Sequence, residues 1–315
     1  MTALRTPVHP RFRHDVLIHD DDASLVDATR RFVEQGLEAD ADVLVHSNQS
    51  QVAVLRDELA CDPRLSYGYD EELYTSPART LFEYQRQLAA RGPDAPELWV
   101  TGTVPRGATA AAQAAWGRYE SAVNEALGRF PFRALCTYDT RTASPAVIAR
   151  ARAAHPHLHT ELGRVPCPDY LAPADFLVDS LAKVPQAPRR APMLSRHVGG
   201  LDDVLSLRNL VRRTGRSATA MPSDAIEALI LAVHEVTANG IVHGAPPVWV
   251  ELWTELDEMV VEVLDGGPGG VDPMTGYRYP DTLGTLGLWV ARQEVDDLII
   301  DTPPGGGCRV LLFKS

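Results

Sequence analysis

Six prolines fall between Pro166 and Pro192, at Pro166, Pro168, Pro173, Pro185, Pro188 and Pro192. Proline lacks the backbone donor that a strand ladder needs and fixes φ, so no continuous sheet runs through this stretch. The segment permits at most a short helix between Ala174 and Lys183, and its later part, with Arg189 and Arg190, has the composition of an exposed connection. It divides the 315 residues into an N-terminal domain at 1–165, a Pro-rich linker at 166–194 and a C-terminal domain at 195–315. Both folded parts are long enough to bury a core of their own.

The two parts have different patterns. Short β-rich runs at 16–19, 43–46, 98–101 and 133–138 alternate with helical patterns at 24–35, 52–59, 81–88, 108–127 and 145–154. Such alternation predicts an α/β domain, a mostly parallel doubly wound sheet with helices on both faces. Gly36 is placed to cap the first helix at its C-terminus. Past the linker, helical patterns at 201–213, 223–242 and 283–295 flank strands at 248–253, 259–264, 298–301 and 309–313. Two or three helices on one face of a mixed, mainly antiparallel sheet, an α/β sandwich, are expected there, with Ser223 as the cap of the long helix.

Composition removes several functions. Forty-two acids against thirty bases give a net charge of −12, and neither half is basic, so direct nucleic-acid binding is not expected. Lys183 and Lys314 are the only lysines and neither stands in a Gly-rich loop, which excludes a Walker A phosphate loop. Cys61, Cys136, Cys167 and Cys308 are scattered without a CxxC pair, as in a reduced cytoplasmic protein. The start of the chain has no pattern of a signal peptide, and apolar runs such as Ala228–Val233 are short of a membrane span.

In the long C-terminal helix, Glu235, Asn239 and His243 recur every four residues and share a face. Downstream, VEVLDGGPGG at Val261–Gly270 is a strand delivering Asp265 into a glycine loop. GTLGL at Gly284–Leu288 then opens a helix whose free amides form an anion site. The order of these fragments, closed by Gly-Gly-Gly-Cys before the last strand, resembles the GHKL or Bergerat-fold (HATPase_c) ATPases. Within them it looks most like the RsbW-like anti-sigma factors that are also serine kinases.

That resemblance implies a Mg-ATP site over roughly residues 195–315. Asn239 would ligate Mg²⁺ through its amide oxygen and Glu235 would be the general base. Asp265 would accept from the adenine amine, Gly267 and Gly269 would admit the nucleotide to the backbone, and Gly284, Thr285, Gly287 and Leu288 would wrap the phosphates. His243 fits the pattern better as a structural histidine than as a ligand. Two positions depart from relatives: Gly284 stands one residue early before Thr285-Leu286-Gly287-Leu288, and Cys308 occupies the place of a threonine.

The implied activity is transfer of a phosphoryl group to a serine or threonine of a STAS-type anti-sigma factor antagonist, with a sigma factor as the second partner and homodimerisation in keeping with relatives. A histidine kinase is rejected, because His234 lies on the nucleotide helix and the linker has no room for a phosphoacceptor hairpin. Two alternatives stand beside it: a non-catalytic nucleotide-dependent interaction switch, and a small-molecule receptor without sigma-factor output.

The N-terminal runs FRHDVLIHDDDASLVDATRRFVEQG at Phe12–Gly36, DVLVHSN at 42–48, LCTYDT at Leu135–Thr140 and AAHP at Ala153–Pro156 resemble the MEDS sensory domain. In regulators of the RsbA family this domain is joined to an RsbW-like ATPase, and its implied fold is RecA-like without a phosphate loop. His14, Asp15, His19 and Asp20–Asp22 cluster in sequence, and His155, His157 and His159 alternate around Pro156; a solvated loop is the expected reading rather than a metal site. Cys136 is expected in a buried strand as a small apolar residue, and Trp99, Trp116 and Tyr119 in core packing.

Overall fold

The computed structural model describes residues 9, 11–59, 61–69, 74, 76–92, 94–105, 107, 109–161, 163–181, 188, 190–279 and 286–315. The chain divides into two compact units between Phe176 and Leu177.

The first unit is α/β. Strands β1 (Arg13–His19), β2 (Asp42–Ser47), β3 (Leu65–Tyr69), β4 (Leu98–Thr103), β5 (Phe132–Asp139), β6 (His157–Thr160) and β7 (Gly163–Pro166) form one sheet in the order β3-β2-β4-β5-β1-β6-β7. All neighbours run parallel except the β6–β7 hairpin. Helices α1 (Asp22–Glu38), α2 (Gln49–Glu58), α3 (Pro77–Ala90), α4 (Ala110–Ala126) and α5 (Pro145–Ala154) connect the strands, and α6 (Pro173–Leu181) follows β7.

Helix α1 forms where Asp21 accepts from the Ser24 amide, capping a run whose Leu25, Ala28, Phe32 and Val33 share one face. That face packs on Leu17, Val43, Val45, Trp99 and Leu135, the residues of one strand parity. Gly36 does not end this helix, which continues to Glu38. A Cβ at Gly36 would lie 2.7 Å from Val43 Cγ2 and 3.1 Å from the Trp99 ring, so close helix–sheet packing explains the glycine. Strand β3 and the β6–β7 hairpin were not foreseen. They are edge elements with half-buried side chains, which leave little periodic signal.

The second unit is a five-stranded sheet in the order β11-β12-β10-β9-β8, every neighbouring pair antiparallel, built from β8 (Leu194–Val198), β9 (Val248–Thr254), β10 (Met259–Asp265), β11 (Asp297–Asp301) and β12 (Cys308–Lys314). Helices α7 (Leu201–Ala218), α8 (Ser223–His243) and α9 (Leu286–Glu294) supply the other layer. Val204, Leu207 and Val211 of α7 and Ile226, Leu229, Ile230 and Val233 of α8 pack with alternate sheet residues such as Val250, Leu252, Val261, Val263 and Leu312 in one core. Each such side chain contributes about 1.5–3 kcal/mol when fully buried.

Ser223 does not cap α8; Pro222 holds that position without a side-chain hydrogen bond. By length and mean hydropathy α8 could cross a membrane, unlike the short apolar run read from the sequence. Its buried residues lie in the core of the second unit, which accounts for that hydropathy.

Candidate functional site

Helix α8 and strand β10 meet at a cleft of about 190 Å³ whose walls include Asn239, His243, Asp265, Gly269, Leu288 and Cys308. Asp265, at the end of β10, is 8% exposed, and its Oδ1 accepts from the Gly267 amide at 2.7 Å. The surrounding backbone has no room for side chains. A Cβ on Gly267 would stand 2.7 Å from Asp265 Oδ1 and one on Gly244 would collide with the same carboxylate, while one on Gly240 would lie 3.1 Å from Val248 Cγ2. Across the strand pair, Cys308 stands in register with Asp265. Burial, with the Asp265 and Asp301 carboxylates nearby, pushes the Cys308 thiol up to about 11.

At the other end, Glu235, Asn239 and the first turn of α9 converge on Gly287. A Cβ there would lie 2.9 Å from both Glu235 Oε2 and Asn239 Nδ2, so a side chain at this position would displace the ends of these two side chains. The first turn of α9 leaves backbone donors unpaired by the helix, in the direction that favours anions. Leu288 lines the cleft, and Glu235 stands beside Asn239 just outside the lining residues. Gly284 and Thr285 lie outside the described residues. His243, expected as a structural histidine, is exposed and lines the cleft.

The loop after Asp265 is held in place. Gly269 has φ +67°, and a Cβ there would lie 2.7 Å from Thr302 Oγ1, while the Gly270 amide donates to that hydroxyl at 3.0 Å. Asp272 accepts from the Met274 amide and from Arg278. Arg292 of α9 donates to Leu298 O and Thr275 O and lies 3.9 Å from the Tyr277 ring centroid, joining loop, helix and β11. Sequence reasoning missed Gly240, Thr275, Val271 and Arg292. Gly240 and Arg292 lie inside helical patterns, where a glycine or an arginine carries no sign of its distant neighbours.

The donor set fits a magnesium nucleotide. An amide oxygen and a carboxylate are hard oxygen ligands of the kind Mg²⁺ takes, the main-chain N–H groups of a helix start can donate to phosphate, and the glycine-walled space beside Asp265 admits a flat base.

The first unit contains a second polar focus. His14 of β1, Glu120 of α4, Cys136 of β5 and His155, just past α5, are all buried, and one ligand atom from each lies within 4.8 Å of the others. His155 has no exposed surface, so the solvated loop expected around Pro156 is incorrect at this residue: Pro156 turns the chain while His155 still faces the core. His157 and His159 are half-buried on β6. Cys136 is buried as expected, and Trp99, Trp116 and Tyr119 pack in the interior.

Residues 13–156 match the model of the MEDS family, described as the MEthanogen/methylotroph, DcmR Sensory domain. Residues 201–314 match that of the histidine kinase-like ATPase domain. Among solved structures, the histidine kinase domain from Erythrobacter litoralis EL346 blue-light activated histidine kinase is similar at 18% identity, covering 45% of this chain and 75% of that one with a TM-score of 0.24. No curated protein matches the chain. An N-terminal MEDS domain and a C-terminal histidine kinase-like ATPase domain are thus present in one chain.

Proposed function

We propose that this pairing of a MEDS domain with a histidine kinase-like ATPase domain is a signal-transducing anti-sigma factor. It binds Mg-ATP in the cleft of the second unit and phosphorylates a serine or threonine of an anti-sigma factor antagonist under control of the first. The observation that carries the reading is the convergence of Asn239, Asp265 and the glycine-cleared backbone on one cleft, with Glu235 beside Asn239.

In this reading Asp265, fixed by the Gly267 amide, accepts from the exocyclic amine of adenine. Asn239 offers its amide oxygen to magnesium, and the amides of Gly287 and Leu288 face the phosphates, with Gly284 and Thr285 assigned to the same wrap by resemblance alone. Gly269 keeps the loop close to the nucleotide. When bound, Mg-ATP supplies the phosphoryl group and neutralises its charge, so that positioning accounts for most of the catalysis. Glu235 takes the proton of the attacking hydroxyl. A sigma factor and a STAS-type antagonist are the proposed partners, with a homodimer as the working assembly.

The test is incubation with radiolabelled ATP and candidate antagonists. Glu235→Ala should lower phosphoryl transfer by roughly 10²–10⁴-fold while leaving ATP binding intact. Transfer unchanged by that substitution removes Glu235 as base, and calorimetry showing no binding of Mg-ATP removes the nucleotide site altogether.

Cys308 favours a second reading, a nucleotide-binding switch without turnover. A thiol facing Asp265 is a weaker hydrogen-bonding group than the hydroxyl of relatives. Binding without transfer to any antagonist would select it.

A further inference from the structure

Two histidines in the core of the first unit have their tautomers fixed by their surroundings. Asn124 Nδ2 donates to Ser121 O at 3.2 Å and Ala154 O at 2.7 Å, so its Oδ1 is an acceptor and His14 Nδ1, 3.2 Å away, carries the hydrogen. His155 Nδ1 lies 2.7 Å from the carbonyl of Ala151 and must likewise be the donor. Both neutral rings therefore present bare Nε2 lone pairs inward. They meet another acceptor, because Glu120 Oε2 is 3.1 Å from His14 Nε2 and 2.9 Å from His155 Nε2. Among the described residues, Glu120 Oε1, Glu120 Oε2 and His155 Nε2 find no hydrogen-bond partner of acceptable geometry. Cys136 Sγ closes the group, 3.5 Å from His14 Nε2.

Acceptors facing acceptors at 0–2% exposure are costly unless a proton or a metal cation lies between them. We propose that this cluster is a binding site for a borderline divalent transition metal, zinc first, held by His14 Nε2, His155 Nε2, the Glu120 carboxylate and the Cys136 sulfur. Two imidazoles, a thiolate and a carboxylate are a tetrahedral zinc set, whereas magnesium and calcium would require oxygen throughout. The charges close: on binding, the Cys136 S–H bond breaks, its proton leaves to solvent, and thiolate plus carboxylate neutralise the dication. Asn124 and the Ala151 carbonyl orient the rings, as partners of metal-bound histidines do. The ligands come from β1, α4, β5 and the end of α5, so one ion would tie four separate elements together. A small cavity of about 20 Å³, enough for one water, touches His14, Glu120 and Cys136.

The full chain, stripped with a chelator, is dialysed against zinc chloride and separately titrated with cobalt chloride. About one metal per chain is expected, with a sulfur-to-cobalt charge-transfer band in the near ultraviolet. Cys136→Ser should remove that band, and Asn124→Ala, which leaves all four ligands in place, should weaken zinc binding roughly 10–100-fold. A folded wild-type chain that takes up neither metal overturns the proposal and leaves a buried imidazolium–carboxylate pair in its place. A cobalt band that survives Cys136→Ser overturns it as well. The wild-type titration needs no variant to fold.

Discussion

Asp265 owes its position to one hydrogen bond and to two neighbours without side chains, Gly244 and Gly267. Gly244→Ala would push a methyl group into its carboxylate, at an overpacking cost of about 1–3 kcal/mol. Calorimetry should show Mg-ATP affinity falling at least tenfold in this variant, with circular dichroism still native. Cys308, opposite Asp265, gives an independent probe of the same space. Its thiol is held up to about 11, so in the folded chain it stays protonated at neutral pH and alkylates slowly, the rate rising as pH climbs toward that value. A raised folded value means that the native state holds this proton more tightly than the unfolded chain. The associated stability is fully present below the ordinary thiol range and is lost as pH rises through about 11. Peptide mapping after alkylation at alkaline pH should find Cys308 protected by Mg-ATP and the exposed Cys61 unprotected.

At the scale of elements, the sequence carried most strands and helices because their apolar residues repeat at 2 or 3.6, and α5 begins and ends where its pattern does, at Pro145 and Ala154. What was illegible depended on contacts between distant residues. Gly36 looked like a helix end because nothing local reveals Val43 and Trp99 beneath it. Gly36→Ala should therefore destabilise the first unit by about 1–3 kcal/mol in urea, where a true C-cap position would also show a shortened helix. The meeting of Asn239 and Asp265 at one cleft, with Glu235 and Gly287 beside Asn239, was readable since these residues stand in short runs of unusual composition. Glu120 was hidden: it sits in an Ala-rich helix, and its histidine and cysteine neighbours are supplied by three other segments. Arg292 was equally silent, although it fastens the 271–279 loop to α9 through Thr275 O and the Tyr277 ring. Replacing it with Met should raise the rate of Mg-ATP dissociation in stopped-flow measurements with a fluorescent analogue, while unchanged dissociation would separate the loop from nucleotide retention.

At the scale of the molecule, two compact units with separate cores predict two transitions on heating the full chain. Mg-ATP should raise only one of them, stabilising it by about 2.7 kcal/mol at a hundred times the dissociation constant, and zinc should raise the other. A single transition moved by both ligands would mean that the cores unfold together. The strand order of the second unit also bears on biosynthesis. Strand β12 leaves the ribosome after every other strand of its sheet, yet it lies between β10 and β11 and sets Cys308 against Asp265. During translation, β10 and β11 therefore wait unjoined and the cleft lacks a wall until β12 emerges, and before that moment exposed ladder groups are what a chaperone would find.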